Sequence, residues 1–197
     1  MAGYVESRFI EPYVNRDSGN IVFDYTELDS IDKPVVATKL KSLFIPAIFY
    51  WQWNRTIKCK IDPRTVGQAF QEHFLNFADE LNLYEKLQGR QLEIKLEKIP
   101  NSFIYTDNGF AIIYIYGYMM SSKEAILPQV KNLVISYKLT DAKQTVQEGR
   151  IEIADKNEPI YNQLKLVKTF TWSYIDVFKH NNKTMAQETV EQLLTDI

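Results

Sequence analysis

The chain has little cysteine and little histidine: its 197 residues include one cysteine, Cys59, and two histidines, His73 and His180. A single cysteine cannot form an internal disulfide. Neither histidine has a second histidine or a cysteine at the spacing of zinc ligands, so no metal site is predicted. Cys59 is predicted to be a buried, unreactive thiol. His73 is predicted at the edge of a core, and His180 near the C-terminal end of a helix.

Glycine and proline are also scarce, with seven residues of each. The sequence contains no P-loop, no dinucleotide-binding glycine pattern and no G-x-S-x-G nucleophile motif. No cofactor is therefore predicted. So few glycines and prolines argue against long disordered linkers, and residues 1–197 are predicted to form a single domain.

The chain has neither a large excess of one sign of charge nor a long apolar run. The net charge is -2 and the lysines are scattered along the sequence, so no basic face is predicted and nucleic-acid binding is disfavoured. No run approaches the roughly 18–20 apolar residues of a membrane-spanning helix. The N-terminal MAGYVESRF has no signal-peptide pattern. Two localisations stay open: a cytoplasmic protein, or an envelope protein facing the periplasm whose export signal has been removed.

Apolar and aromatic residues are abundant, at 45% and 13% of the chain, which is ample for a core. The segment Leu43–Ile61 passes from an apolar run that contains Pro46 into a strict alternation of apolar and polar residues. The whole stretch is predicted to mark the core, with a half-buried strand over Tyr50–Ile61. Asp62 and Pro63 then predict a helix start. Apolar residues at three- and four-residue spacing predict a helix over Val66–Leu81. Gly89 is predicted to end the helical segment. Alternation of apolar and polar residues from Leu92 to Leu96 predicts another strand.

The remaining segments predict further strands and two helices. Extended segments are expected at Tyr4–Ile10 and Ile21–Tyr25, a hairpin at Leu133–Leu139 and Thr145–Ile153, and two helices at the C-terminus, the first from about Ile160 to Phe178. Phe110–Met120 is apolar at both parities and predicts a central strand, preceded by a tight turn at Asp107-Asn108-Gly109. The predicted fold class is α+β: a mostly antiparallel sheet packed against the Val66–Leu81 helix and the two C-terminal helices.

Carboxylates on the polar side of strands are candidates for acid–base chemistry. They are Glu93, Glu97, Glu148 and Glu152. Cross-strand charge pairing is the ordinary role for such residues. The alternative is a small hydrolase or transferase that uses strand carboxylates with His73, in which His73 and an acid would lie within hydrogen-bond distance.

A row of tyrosines is the sharper functional feature. Tyr114, Tyr116 and Tyr118 share one parity, so on a single strand they would line one face. Tyrosine rings are amphipathic and suit contact with a protein partner or an amphiphilic ligand. These three tyrosines are the candidate contact residues. The competing interpretation is that a helix covers this face.

From Leu43 to Pro100 the order of elements resembles that of small envelope lipoproteins of Gram-negative bacteria, such as the ABC-type transport auxiliary and YajG-like lipoproteins. The resemblance rests on an amphipathic helix that leads to a G-x-x-L-x-I-like strand, here Gly89-Arg90-Gln91-Leu92-Glu93-Ile94. It implies a mature lipoprotein domain, tethered through a lipidated cysteine upstream of these residues, that acts as a non-catalytic accessory to an envelope complex. Cys59 lies within a predicted strand and is not that cysteine.

The sequence therefore predicts a binding protein and not an enzyme. The expected partner is an envelope protein complex or an amphiphilic ligand, and membrane contact is expected only through the upstream lipid anchor. The small hydrolase or transferase and a cytoplasmic scaffold protein remain the alternatives.

Overall fold

The structure, a computed structural model, describes residues 2–9, 18–29, 31, 35–129, 131–142 and 144–197. These residues form an α+β fold, as predicted. The helices are α1 (Ala2–Phe9), α2 (Pro63–Glu80), α3 (Leu83–Leu87) and α4 (Val167–Asp196). The strands are β1 (Ile21–Asp24), β2 (Val35–Ile45), β3 (Tyr50–Lys60), β4 (Gln91–Lys98), β5 (Ser102–Tyr114), β6 (Gly117–Pro128), β7 (Leu133–Asp141), β8 (Gln144–Ile153) and β9 (Ile160–Tyr161). They make two sheets, not the one predicted.

The first sheet has four strands in the order β1-β4-β7-β8 and carries the core. Only the β1–β4 pair is parallel. Leu92, Ile94 and Leu96 of β4 are fully buried on one face. Helix α2 covers that face, since the Phe74 ring meets the ring of Phe23 in β1 edge-on at 5.4 Å. The predicted strand at Leu92 and the predicted hairpin of β7 and β8 are confirmed.

Helix α2 begins where the sequence predicts. The Asp62 carboxylate accepts hydrogen bonds from the backbone N–H of Thr65 at 2.9 Å and of Ile31 at 3.0 Å. Pro63 follows at the first helical position, where its missing N–H costs nothing. Gly89, at φ 81°, ends the helical segment as predicted, although that segment is divided into α2 and α3.

We expect Asp62→Ala to lower the free energy of unfolding by about 1–2 kcal/mol at neutral pH. Burial alone would raise the pKa of Asp62, but the hydrogen bonds from Ile31 and Thr65 outweigh it and hold the pKa below its usual value. A lowered carboxyl pKa stabilises the fold above the unfolded-state pKa, and this contribution disappears as pH falls through the folded-state pKa. Urea unfolding at several pH values should show the difference between the two proteins shrinking as pH falls below the usual carboxyl range and through the lowered pKa of Asp62. Asp29→Ala, at an exposed aspartate, is the control, and a gap that persists in acid would contradict the assignment.

The N-terminal segment is a helix, and the strand predicted at Tyr4–Ile10 is wrong for its described residues. Val5 is fully buried, the Trp172 indole donates a hydrogen bond to the Tyr4 carbonyl at 3.0 Å, and Arg8 donates two hydrogen bonds to the Asp176 carboxylate at 2.9 Å. These contacts dock α1 on α4. Tertiary packing decided the conformation of a segment whose short pattern fits either period.

The C-terminus is one long helix, so the prediction of two helices is wrong. Ile160 lies in β9 and Leu164 has φ 65°, both before α4 begins at Val167. Asn181 and Asn182 in the middle of α4 are buried. Their amide N–H groups donate to the Asp155 carboxylate at 2.9 Å and to the Val66 carbonyl at 3.2 Å, although asparagine usually favours a helix end.

The second sheet has five antiparallel strands in the order β2-β3-β5-β6-β9. Its base packs on α4: the ring of Phe103 lies 4.9 Å from that of Tyr174, and the ring of Tyr105 lies 6.5 Å from that of Phe170. Phe103 and Tyr105 are buried, whereas the same strand is exposed by residue 113. The sheet therefore leaves the core as it extends.

Candidate binding surface

The outer part of the five-stranded sheet, here called the arm, consists of residues 37–55 of β2 and β3 and residues 107–124 of β5 and β6. All residues from 37 to 49 are exposed, whichever face they occupy. A sheet normally buries at least one face against another layer. Over the residues that the structure describes, no layer buries either face of the arm.

The end of the arm, here called the tip, comprises residues 43–51 and 113–120. A turn of 3-10 helix at Pro46–Ile48 joins β2 to β3 there, and a short turn joins β5 to β6. Ile115 and Tyr116 in the second turn are 92% and 94% exposed. The tip also exposes large apolar side chains at Leu43, Phe44, Ile45, Ile48, Phe49, Trp51, Ile113, Tyr114, Tyr118, Met119 and Met120. The prediction that Leu43–Ile61 marks the core is therefore wrong for its tip portion, whereas Cys59 and Ile61 do lie in the core.

The absence of charge extends beyond the tip. Residues 42–54 and 108–122 contain no Asp, Glu, Lys, Arg or His. Soluble proteins rarely expose large contiguous apolar patches, and those that do generally use them to bind. This composition and exposure make the tip the candidate binding surface.

The candidate tyrosines all lie at the tip, but not along one strand. Tyr114 ends β5, Tyr116 lies in the turn and Tyr118 belongs to β6. Tyr114 pairs with Gly117 and Tyr118 pairs with Ile113, so Tyr114 and Tyr118 are on opposite faces. The predicted central strand Phe110–Met120 is a hairpin, and the predicted one-faced row is wrong. The residues are apolar at both parities although, over the described residues, no other layer covers either face of the hairpin.

The segment Asp107-Asn108-Gly109 lies inside β5 and is not the predicted turn. The Trp53 indole N–H donates a hydrogen bond to the Asp107 carboxylate at 2.9 Å. A Cβ atom at Gly109 would lie 2.3 Å from the Trp53 ring and 2.5 Å from the Ser121 carbonyl oxygen. The glycine is needed here because the indole lies across its backbone, and β3 is thereby held on β5.

The two faces of the five-stranded sheet differ in charge, both along the arm and in the part of β3 next to it. Directly paired residues share a face. One face, here called the lysine face, carries five lysines: Lys39, Lys41, Lys58, Lys60 and Lys123. Over the described residues of β2, β3, β5 and β6, this face has no Asp or Glu. The prediction that the chain has no basic face is wrong, since pairing gathers lysines that are distant in sequence.

The other face, here called the tryptophan face, bears Trp51, Trp53 and a mixture of charges. Arg55 pairs with Asp107, which in turn pairs with Glu124. Nearer the base, this face includes the buried Cys59, as predicted. Burial raises the pKa of the Cys59 thiol to about 11, so the thiolate is scarce at neutral pH.

The strand carboxylates and His73 are not brought together. Glu93 and Glu97 alternate with the buried residues of β4 and so lie on the outer face of the four-stranded sheet, whereas α2 with His73 packs on the inner face. Glu97 forms an ion pair with Arg150 at 3.1 Å, and Glu152 accepts a hydrogen bond from the Asn132 amide at 2.6 Å. The sheet separates these acids from His73.

The remaining candidate features are His180 and any cluster of metal-binding side chains. His180 is exposed in the middle of α4, so its predicted place near a helix end is wrong. Within the described part of the chain, no group of three or more His, Cys, Asp and Glu side chains is arranged to hold a metal ion. Among the described helices, none is both long enough and apolar enough to cross a membrane.

Comparison with family models, curated proteins and solved structures finds no match to this chain. The functional inference therefore depends on the chain's own residues. The predicted contact residues did not include the aliphatic part of the tip or the lysine face. The two long segments without charge, 42–54 and 108–122, were the signal available for the tip, and only strand pairing shows the lysine face.

Proposed function

We propose that this protein is a non-catalytic accessory protein of the cell envelope that engages a protein partner or an amphiphilic ligand through the tip. The observation that carries the proposal is a bare, uncharged sheet end that exposes aliphatic and aromatic side chains on both faces and at both turns. Removing such side chains from water on binding is favourable. Aromatic residues are also enriched among those that dominate binding energies.

The stable base of the sheet supports a binding role for its end. The arm is joined to α4 through Phe103 and Tyr174, and its strands are held in register by Trp53 lying over Gly109. A preorganised surface loses less conformational entropy on binding than a flexible loop does. The envelope setting rests on the resemblance of the element order to envelope lipoproteins.

A photo-crosslinking amino acid at position 115, introduced in the native host, tests the use of the tip. We expect a specific adduct from position 115 and none from position 146, an exposed valine of β8 on the other sheet. Mass spectrometry then identifies what is attached. Equal labelling at the two positions, or no adduct at either, would contradict the proposal.

The same experiment in a variant with Tyr114, Tyr116 and Tyr118 changed to Ser tests the candidate residues. Since each residue that dominates an interface contributes about 2 kcal/mol or more, the adduct should fall at least tenfold while circular dichroism shows an unchanged fold. An undiminished adduct in the folded variant would remove the tyrosines from the site.

The envelope setting is tested by separating soluble from membrane fractions of the native host and measuring the intact mass of the protein. A lipidated upstream cysteine predicts a membrane-bound species with added diacylglyceryl mass.

A further inference from the structure

The lysine face and the tip form one surface on which charge and apolarity are separated along the strands. Lys41, Asn54, Asn108 and Lys123 form one row across four strands. Two residues closer to the tip, the row on the same face is Leu43, Gln52, Phe110 and Ser121. The next row is Ile45, Tyr50, Ile112 and Met119. Cationic side chains thus give way to apolar ones within about 13 Å, at 3.3 Å per residue.

We propose that this surface binds a lipid bilayer that contains anionic headgroups, with the tip in the interfacial layer and the lysine face turned toward the headgroups. The inference rests on the proposed function and names its ligand. The described strand residues of the lysine face include no Asp or Glu, so its lysines attract an anionic surface, and their long side chains reach headgroups while the apolar residues enter the layer below. Tyr and Trp rings at the tip suit the boundary between water and hydrocarbon.

The alternatives fit the same surface less well. A second copy that docked through its own lysine face would oppose lysine to lysine, which is unfavourable. Single-stranded nucleic acid would use lysines and aromatic rings, but it would leave Ile45, Ile115 and Met119 unused, because aliphatic side chains offer no ring for base stacking. A bilayer uses both the aliphatic residues and the lysines.

The sheet edges limit how deeply the tip can enter. Strand β2 is the outer strand of the sheet, and the tip portion of β6 lies beyond the two residues paired with β9. Unpaired backbone N–H and C=O groups are strongly disfavoured in hydrocarbon. Contact therefore ends in the interfacial layer, roughly 5–10 Å deep, as for peripheral amphipathic elements.

The test uses the purified full chain with vesicles of phosphatidylcholine alone and vesicles that also contain phosphatidylglycerol. We expect cosedimentation with the phosphatidylglycerol vesicles and much less with phosphatidylcholine alone, and we expect added salt to weaken it. In a Trp172→Phe background only the arm retains tryptophan, so its emission should shift to shorter wavelength on binding.

Two matched triple variants test the lysine face. Changing Lys39, Lys41 and Lys123 to Gln should weaken binding about a hundredfold at low salt, since each lysine near an anionic surface is worth about a fivefold change in partitioning. Changing three exposed lysines outside the arm, Lys98, Lys131 and Lys138, to Gln alters net charge equally and should preserve most of the binding. Equal losses in the two variants would overturn the inference.

A third variant, with Phe49, Ile115 and Tyr116 changed to Ser, tests the tip. Vesicle binding that survives in this variant, with its fold intact by circular dichroism, would overturn the proposed insertion.

Two outcomes separate the lipid inference from the proposed function. If the protein binds neither kind of vesicle but position 115 crosslinks to a protein, the lipid inference fails and the proposed function stands. If neither vesicle binds and no adduct forms, both fail.

Discussion

Phe103→Ala is expected to lower the free energy of unfolding by about 3–5 kcal/mol, the range measured for large buried aromatic residues. Phe103 is fully buried at the base of β5, between Cys59 of β3 and Pro128 of β6. Its ring lies 4.9 Å from that of Tyr174 in α4. Truncation would remove apolar contact and leave a cavity at the junction of the arm and the core. Urea unfolding followed by far-ultraviolet circular dichroism measures the change.

Phe44→Ala is the matched control for this substitution. Phe44 lies on the same sheet, but it is 58% exposed at the tip. Its loss should change the free energy of unfolding by no more than about 0.5 kcal/mol. If the two variants were equally stable, Phe103 would not be the residue that joins the arm to the core.

The second large effect is expected from Gly109→Ala, which should destabilise the arm by about 1–3 kcal/mol, as overpacking does. The new methyl group would overlap both the Trp53 ring and the Ser121 carbonyl oxygen. The indole can swing away, but it would then lose its hydrogen bond to Asp107, and the backbone of β6 would still have to shift. In a Trp172→Phe background, tryptophan fluorescence comes from the arm alone and should change in the Gly109→Ala variant. Hydrogen exchange should show faster opening of the backbone near residue 121.

Gly117→Ala provides the control on the same hairpin. There a Cβ atom would lie 3.5 Å from the Tyr114 hydroxyl oxygen, an ordinary contact distance. We expect arm fluorescence and hydrogen exchange to remain close to those of the unsubstituted protein. Similar effects from the two glycine substitutions would show that packing of Trp53 does not hold the arm.

Local signals predicted much of the fold near the core. The Asp62 cap, the α2 stripe, the alternation in β4 and the hairpin of β7 and β8 were all readable, because each of these elements buries one face. A buried face imposes the period of its element on the sequence. Where a strand buries neither face, as in the tip, the sequence pattern did not predict the structure correctly. Phe110–Met120 looked like a buried strand because a bare apolar hairpin and a buried strand share the same composition.

The sequence singled out three of the residues that form the tip. Tyr114, Tyr116 and Tyr118 were identified, and their exposures of 57%, 94% and 77% place them at the surface. Their division between two faces could not be predicted, because it depends on the turn at residues 115 and 116. That turn has none of the usual Gly, Pro or Asn signals at its two central positions.

The sequence by itself determined the α+β class, the start of α2, the alternation that buries one face of β4 and the uncharged character of residues 42–54 and 108–122. These are local properties, set by residue type and spacing. Tertiary structure alone decided that the uncharged segments meet at a bare tip and that Lys39, Lys41 and Lys123 share one face. Register between distant strands sets which side chains are neighbours, and no local pattern contains it.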